Sequence, residues 1–165
     1  MMDLTERLVR QLAHRFGQDG VVQYGEAELD FGPAFRRVRF MDVLNEKTGR
    51  NLQDLSDDQM ADLVREHEIK VKPGMGRDKL LDELFTLLVE PELVQPTFIM
   101  DHPQELSPLA KAHRSSEGLV ERFELFVAGF ELTNSFSELN DPQEQRGRST
   151  IEPRSMRMPI EATST

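Results

Sequence analysis

The strongest constraint on the fold of this chain is a predicted β-hairpin within the stretch from Glu121 to Asp141. Strand-forming residues lie on both sides of Ala128-Gly129, which has the composition of a tight turn. A two-residue loop there predicts three cross-strand pairs: Val127 with Phe130, Phe126 with Glu131, and Glu124 with Thr133. Glu124 and Glu131 would then lie diagonally on one face of the sheet, roughly 7–8 Å apart between backbones.

Two carboxylates at this spacing indicate a site for a cation. They repel each other unless positive charge lies between them. Mg²⁺ satisfies that requirement, because proteins hold it through one or two carboxylates together with substrate phosphates. The spacing also allows an alternative, in which both glutamates lie on a solvated face of the sheet, as most charged side chains do.

A second set of polar and aromatic residues follows at every second position: Asn134, Phe136 and Glu138. In an extended strand these three share one side, and an acid, an amide and a ring suit a ligand with an ammonium group and an apolar stem. Strict alternation places Asn134 on the face opposite Glu131, so one common pocket requires a bulge near Thr133. The alternative places Phe136 in the core and makes Glu138 a carboxylate at a helix N-terminus.

Five longer words in the sequence follow one another in a fixed order: MDLTERL at Met2–Leu8, GPAFRRV at Gly32–Val38, QPTFIMDHPQELSPLAKAHR at Gln95–Arg114, GLVERFELFVAGFEL at Gly118–Leu132, and NSFSELNDPQEQR at Asn134–Arg146. Together they resemble the catalytic domain of class II lysyl-tRNA synthetases over residues 2–146, between that family's second and third signature motifs. The word SPLAKAHR favours this family over its paralogue that attaches lysine to a translation factor.

The resemblance implies an α+β fold, with an antiparallel sheet flanked by helices. It implies that Glu124 and Glu131 bind Mg²⁺ and ATP, and that Asn134, Phe136 and Glu138 line the lysine pocket, with Glu138 as partner of the side-chain ammonium. It assigns no catalytic nucleophile to this segment. Phe130 departs from the basic residue that the family usually has there, so the resemblance implies no contact from that side chain.

The family reaction implied by the resemblance activates lysine with ATP to lysyl-adenylate and then transfers the lysyl group to tRNA, in a cytoplasmic homodimer. The family's ATP-binding arginines of the second and third motifs, its first motif and its anticodon-reading domain all fall outside this chain. We therefore expect little or no ligase activity from the chain alone. Two other roles stay open, namely a lysine-binding regulatory module and a remnant that pairs with an intact synthetase subunit.

The sequence divides into residues 1–146, expected to be a partial catalytic domain, and residues 147–165. The start resembles an internal methionine of the family rather than a signal peptide. Residues 147–165 contain no Leu, no aromatic residue and no helical period, so we expect them to be disordered or translated out of frame. A genuine lineage-specific tail is the alternative.

Charge and composition restrict the classes of function. The formal net charge of −10 argues against this segment binding nucleic acid by itself, because phosphate neutralisation needs clustered Lys and Arg. No stretch approaches the roughly 20 apolar residues that cross a bilayer. The absence of cysteine from the sequence excludes disulfides and thiolate chemistry, and it is compatible with a reducing cytoplasm.

The remaining sequence predicts a scaffold of helices and short strands. Its predicted helices are Leu4–Phe16, with an Asp3–Glu6 capping box and a stripe of Leu4, Leu8, Leu12 and Phe16, then a helix capped by Ser56 and Gln59, Arg77–Glu90, and Ser107–Lys111. Its predicted strands are Val21–Tyr24, Ala27–Phe31, Phe35–Phe40 and Thr97–Met100. Arg36, Arg37 and Arg39 could contact phosphate, but a solvated strand edge is favoured. We expect His102 and His113 to pack or hydrogen-bond rather than to catalyse.

Overall fold

A computed structural model describes residues 1–149 as an α+β fold in which one mixed sheet is flanked on both faces. The helices are α1 (Met2–Phe16), α2 (Phe40–Thr48), α3 (Asp57–Glu66), α4 (Arg77–Leu88) and α5 (Pro142–Ser149). The strands are β1 (Val21–Tyr24), β2 (Ala27–Asp30), β3 (Arg36–Arg39), β4 (Thr97–Met100), β5 (Arg122–Val127) and β6 (Phe130–Phe136). Short 3₁₀ turns lie at Leu52–Asp54, Glu90–Glu92 and Gln104–Leu106.

The main sheet has the strand order β3-β4-β5-β6. Both pairs that involve β5 are antiparallel, as expected, but β3 and β4 run parallel. A parallel pair needs a crossover connection, and α2, α3 and α4 supply it. The strands β1 and β2 form a separate antiparallel hairpin.

Two apolar cores lie on opposite faces of the sheet. Helices α2, α3 and α4 pack against one face, where they meet Ile99 and Phe126. Helix α1 and the β1–β2 hairpin cover the other face, where they meet Phe98 and Leu125. The central strand β5 is therefore buried on both sides, and its alternate residues point into different cores. Glu124 lies opposite Ile99 in the sheet register, so it shares the face that α4 covers.

The predicted hairpin is confirmed, with one change of register. Ala128 and Gly129 form the turn, both at positive φ (54° and 77°), as a two-residue type I′ turn requires. Phe126 pairs with Glu131 as predicted, but a bulge at Leu132 makes Glu124 pair with Asn134. The predicted pairing of Glu124 with Thr133 is therefore wrong by one residue, because the bulge places two residues of β6 opposite one of β5.

Helix α1 differs from the sequence prediction in two ways. Its N-cap is Met1 and has no side-chain hydrogen bond, so the predicted capping box is absent; Asp3 and Glu6 both pair with Arg37 on β3 instead. The predicted apolar stripe is exposed rather than buried, with Leu4, Leu8, Leu12 and Phe16 each at least 48% accessible. The face that packs inward carries Glu6 and Ala13, because Glu6 bonds to Arg37 and to the backbone of Phe35.

Most of the other predicted elements are confirmed, including the capping box of α3 and the strand Thr97–Met100. Helix α4 ends at Leu88, two residues before the predicted end. The predicted helix Ser107–Lys111 is wrong, since the chain there makes one turn and then bridges to Glu138. One internal bond, from Ala110 N–H to Ser107 O (3.0 Å), closes the turn. Two further backbone bonds join the segment to residues 137–139, from Lys111 N–H to Ser137 O and from Leu139 N–H to Leu109 O.

Helix α5 ends at Ser149, three residues past the predicted boundary at Arg146. The Arg148 guanidinium donates to the carbonyls of Pro108 and Ala110, which anchors the helix on the loop before β5. Residues 150–165 lie outside the described residues, so the disorder predicted for them stays a prediction. Within residues 1–149, no helix has the length and apolar character to cross a membrane.

Candidate functional site

The candidate site is built around Glu124, a carboxylate that is only 7% accessible in the middle of β5. Three side chains hold it. The Arg122 guanidinium and the Asn134 amide (3.1 Å) donate to its Oε1 atom, and His102 Nε2 lies 3.2 Å from its Oε2 atom. A buried carboxylate survives in an apolar strand only when such partners compensate for its lost hydration. Glu124 is therefore held in one orientation.

Burial and hydrogen bonding act in opposite directions on the pKa of Glu124. Burial is the largest effect and raises it, but the hydrogen bond from His102 and the charges of His102 and Arg122 together outweigh burial. The pKa of Glu124 is consequently lower than its ordinary value. Glu124 is thus an ionised carboxylate at neutral pH, as a ligand for a hard cation must be.

Arg122 links the acid to the rest of the site. Its Nε atom donates to Asn134 Oδ1 (3.2 Å), and its other nitrogens reach Glu124, Ser107 Oγ (2.7 Å) and the Leu106 carbonyl (3.2 Å). Sequence reasoning missed this residue. The available signal was its position two residues before Glu124, which places both side chains on one face of β5. Arg122 fixes the geometry of Glu124 and Asn134 together.

Glu131 is the second predicted metal acid, and the structure places it on the same face as Glu124. It pairs with Phe126, the residue two positions after Glu124, so the two acids are diagonal neighbours. Glu131 is exposed, and its carboxylate makes no hydrogen bond or ion pair with another of the residues 1–149. One acid of the pair is thus neutralised by protein groups, and the other is left to solvent or to a ligand.

Further carboxylates add negative potential to this face. The pKa of Asp82 on α4 is raised, first by burial, then by Glu83 and Glu124. The pKa of Glu90 is also raised, mainly by burial and also by the charges of Asp82, Glu124 and Glu131. Burial is the main cause of both shifts, and the neighbouring carboxylates add to it.

The donor set fits Mg²⁺ held jointly with another ligand. Glu124 Oε2 has one lone pair free beyond its bond to His102, and the Glu131 carboxylate is free within the described chain. Residues 1–149 contain no cluster of three His, Cys, Asp or Glu that could enclose a metal by itself. Mg²⁺ commonly binds through one or two carboxylates and completes its shell with water and phosphate oxygens.

The predicted lysine-pocket residues continue along β6 from this acid pair. Because of the bulge, Asn134 lies opposite Glu124 and Phe136 lies opposite Arg122, so both point to the face that carries Glu124. The structure therefore contains the bulge that one common pocket requires. The Asn134 amide is already bonded to Glu124 and Arg122, and Phe136 is 43% exposed. Asn134 connects the two halves of the site, and Phe136 offers an open ring.

Glu138 lies just beyond the end of β6, and its backbone is held from both sides. It forms an antiparallel bridge with Ala110, whose neighbours bond to Ser137 and Leu139. Its carboxylate is exposed and unpaired within residues 1–149. The alternative role of a helix N-terminal carboxylate does not apply, because α5 begins at Pro142 and Asp141 accepts the first bonds of that helix.

A second ion pair fixes the segment between Phe136 and Glu138. Glu121 accepts from the Arg114 guanidinium and from Ser137 Oγ (3.0 Å), and its backbone carbonyl accepts from Ser137 N–H. The hydrogen bonds from Arg114 and Ser137 lower the pKa of Glu121 to about 2. The segment that carries Glu138 therefore stays anchored to β5 over the whole physiological pH range.

Two of the three arginines of β3, Arg37 and Arg39, are paired within the protein, and Arg36 is exposed. Arg37 pairs with Asp3 and Glu6 beside a cleft of about 450 Å³ between α1 and β3, and Arg39 Nε bonds to Asp101 (3.1 Å). These contacts favour a structural role over phosphate binding for Arg37 and Arg39. His102 and His113 make hydrogen bonds or ion pairs, as expected.

Comparisons with known proteins identify the family. The model of the class II tRNA synthetases (D, K and N) matches residues 1–158, which extends past Arg146. A lysine–tRNA ligase of Aquifex aeolicus is 49% identical over 131 residues, which are 77% of this chain and 22% of that protein. The lysine–tRNA ligases of Staphylococcus epidermidis and Bacillus subtilis are 42% and 39% identical over 149 residues, or 90% of this chain and 30% of each relative.

The chain spans less than a third of the length of these curated relatives. The matched range includes every residue of the site described above. The α+β fold agrees with the family match as well. This chain therefore belongs to the class II tRNA synthetases, and its similarity within them is to the lysine–tRNA ligases.

Proposed function

We propose that this chain provides the metal-binding and lysine-binding face of a lysine–tRNA ligase. The reaction is the ATP-dependent formation of lysyl-adenylate, followed by transfer of the lysyl group to tRNA. The observation that carries the proposal is the bulged β5–β6 hairpin, which brings Glu124, Glu131 and Asn134 to one face. Glu124 is paired with Arg122 whereas Glu131 is unpaired, and such a pair of acids suits a metal-bound nucleotide. The exposed ring of Phe136 beside them suits a cationic amino acid.

In this proposal Glu124 and Glu131 hold Mg²⁺, and the ion supplies charge neutralisation for the ATP phosphates. Arg122 and Asn134 keep the Glu124 carboxylate in one orientation, so binding energy is not spent on ordering it. No nucleophilic side chain is needed, because the carboxylate of the substrate lysine attacks the α-phosphate, the bond between the α- and β-phosphates breaks, and pyrophosphate leaves. Catalysis then rests on alignment and on charge stabilisation.

Recognition of the lysine side chain falls to Phe136 and Glu138. The exposed Phe136 ring can pack against the apolar stem of lysine, and the unpaired Glu138 carboxylate can form an ion pair with its ammonium group. Asn134 contributes the lone pair and the N–H that Arg122 and Glu124 leave free. A dimer, tRNA contacts made by other parts of the protein, and a cytoplasmic location accompany this function as parts of the same proposal.

Lysine-dependent exchange of pyrophosphate into ATP tests the proposed function. Residues 1–149 would replace the matching segment of the Bacillus subtilis ligase, and the isolated chain would be assayed in parallel. We expect exchange from the chimera, loss of exchange on Glu124→Gln, and no exchange from the isolated chain. Glu117→Gln, at an exposed loop position, is the matched control.

Two results would contradict the proposal. The first is a folded chimera whose exchange does not depend on lysine. The second is full exchange activity in the Glu124→Gln chimera. Exchange by the isolated chain would instead show that these 165 residues contain a complete activation site.

A further inference from the structure

His102 is the most deeply buried ionisable side chain that contacts the candidate site, at 2% accessibility. One edge of its ring faces Glu124, with Nε2 lying 3.2 Å from Oε2. The face of the ring packs against Phe40, with centroids 5.1 Å apart and planes at 41°. The ring is therefore fixed both by packing and by one directional polar contact.

The direction of the hydrogen bond follows from the chemistry of the partner. The charged Arg122 guanidinium lies against Glu124 and stabilises its ionised form, and an ionised carboxylate can only accept. Nε2 of His102 must then carry the hydrogen. The other ring nitrogen, Nδ1, is buried and has no hydrogen-bond partner within residues 1–149. The bond to Glu124 is thus the one polar contact of this ring among the described residues.

The backbone around His102 is constrained in a way that supports a positioning role. Asp101 has a left-handed conformation (φ 55°), which is uncommon for a residue with a side chain. Its carboxylate meets Arg39 (3.1 Å) and His113 (3.6 Å), and its N–H donates to the Arg122 carbonyl (3.1 Å). The His102 carbonyl accepts from Val120 N–H (2.9 Å). Contacts from three parts of the chain hold this corner.

Each oxygen of Glu124 is consequently directed by different groups. Arg122 and Asn134 use both lone pairs of Oε1, whereas His102 uses one lone pair of Oε2. The remaining lone pair is on Oε2, the oxygen that His102 orients. Loss of the His102 donor would leave the carboxylate held through Oε1 alone, so its plane would be less well fixed.

We propose that His102 is a positioning residue that orients the Glu124 carboxylate through Nε2–H, so that the free lone pair of Oε2 is available to a divalent cation shared with Glu131. The inference rests on the proposed assignment of Glu124 and Glu131 as metal acids. His102 touches neither the metal nor a substrate in this account. Groups that orient metal ligands in this way typically change metal affinity 10–100-fold when they are removed.

Titration of the full chain with Mn²⁺ alone tests the proposal, because Mn²⁺ shares the carboxylate preference of Mg²⁺ and broadens nearby amide signals in ¹H–¹⁵N spectra. We expect broadening centred on Glu124 and Glu131 in the unsubstituted chain. His102→Asn, whose amide is too short to reach Glu124, should weaken Mn²⁺ binding about tenfold. His102→Gln, whose amide reaches the Nε2 position, should restore most of the affinity, and His14→Asn on the surface of α1 is the control.

Four results would each overturn the proposal or one part of it. Equal Mn²⁺ affinity in His102→Asn and the unsubstituted chain overturns the positioning role and leaves the metal assignment standing. If His102→Asn and His102→Gln weaken Mn²⁺ binding equally, the Nε2 donor has no role, and packing of the ring explains the effect. Absence of hairpin-centred broadening in the unsubstituted chain overturns the metal assignment and the positioning role with it. An imidazole ¹⁵N spectrum that shows no hydrogen on Nε2 overturns the proposal without any substitution.

Folding of the variants is read from the same spectra. If His102→Asn loses the dispersed amide pattern, His102→Phe replaces it, since a phenyl ring retains the packing against Phe40 but has no donor. Weakened Mn²⁺ binding by folded His102→Phe supports the proposal, and unchanged binding overturns it.

Discussion

Glu138 and Glu131 differ from Glu121 and Glu124 because no side chain of the described residues pairs with their carboxylates. Glu124 is held by Arg122, and Glu121 by Arg114, but Glu138 is exposed and unpaired within residues 1–149. Its backbone is nevertheless fixed by the bridge to Ala110. An ordered carboxylate without a partner suits the selection of a cationic ligand, because binding replaces no internal ion pair.

Glu138→Gln should therefore reduce affinity for lysine far more than for ATP. In an intact ligase that carries this segment, we expect the KM for lysine to rise about tenfold to a hundredfold, the value of a hydrogen bond to a charged group. The KM for ATP should change little. Steady-state pyrophosphate exchange gives both constants, and Glu117→Gln serves as the control. An equal rise in the two KM values would show that Glu138 does not select lysine.

The shared face of the proposed site residues could be predicted from sequence, but their contacts could not. Glu124 and Glu131 follow from hairpin pairing, and their shared face is preserved in the structure. The bond of Asn134 to Glu124 depends on the bulge at Leu132, which the residue pattern alone does not locate. Arg122 and His102 were not assigned to the site. The contact of His102 with Glu124 joins residues that are 22 positions apart, and it arises only when β4 and β5 pair.

The turn of the β5–β6 hairpin places a residue with a side chain at positive φ. Ala128 has φ 54° and Gly129 has φ 77°. A left-handed residue other than glycine costs roughly 1–2 kcal/mol, and part of that is offset because glycine loses more entropy on folding. The hairpin that carries the site is therefore less stable than it would be with glycine at position 128.

Ala128→Gly should stabilise the chain by about 0.5–1 kcal/mol, and Gly129→Ala should destabilise it by roughly 1–2 kcal/mol. A methyl group at Gly129 would also approach the Glu90 carbonyl, at 3.4 Å from the new Cβ. Urea unfolding of the two variants and the unsubstituted chain measures both effects. A loss of stability in Ala128→Gly would show that the turn does not adopt this conformation in solution.

Elements with a strong local signal are predicted well from this sequence, and those with tertiary partners are not. The capped helix α3 and the strand β4 form where the pattern places them. The chain after Ser107 has the residues of a helix start, but its backbone bonds to residues 137–139. In α1 the acids of an apparent capping box pair with Arg37 across the interface with β3, so tertiary ion pairs decide which face packs inward.

Across the whole molecule, folding raises the pKa of one group of carboxyls and lowers that of another. Asp82, Glu90 and Glu105 have raised pKa values, caused first by burial. The pKa of Glu124 is lowered overall although burial opposes the shift, and hydrogen bonds from Arg114 and Ser137 lower that of Glu121 to about 2. A carboxyl group whose pKa is raised by folding destabilises the folded state at pH values above that raised pKa. A carboxyl group whose pKa is lowered by folding stabilises the folded state at pH values above its ordinary pKa.

Stability should consequently rise as the pH falls from neutral into the mildly acidic range, while Asp82, Glu90 and Glu105 take up protons. It should fall again at lower pH, when Glu124 and Glu121 are protonated through their lowered pKa values. Urea midpoints measured from pH 8 to pH 3 test this. The double variant Asp82→Asn/Glu90→Gln should be more stable than the unsubstituted chain at pH 7 and show a smaller rise on acidification. A double variant that keeps the full rise would exclude these two acids as its source.

Mapping of L-lysine binding by ¹H–¹⁵N NMR on the full chain tests the placement of the amino-acid pocket. We expect saturable shift changes at Asn134, Phe136 and Glu138. We expect weaker changes with L-ornithine, whose stem is one methylene shorter, and loss of the changes in Glu138→Gln. Changes that centre on another surface, such as the cleft between α1 and β3, would contradict this placement, as would a response that Glu138→Gln leaves intact.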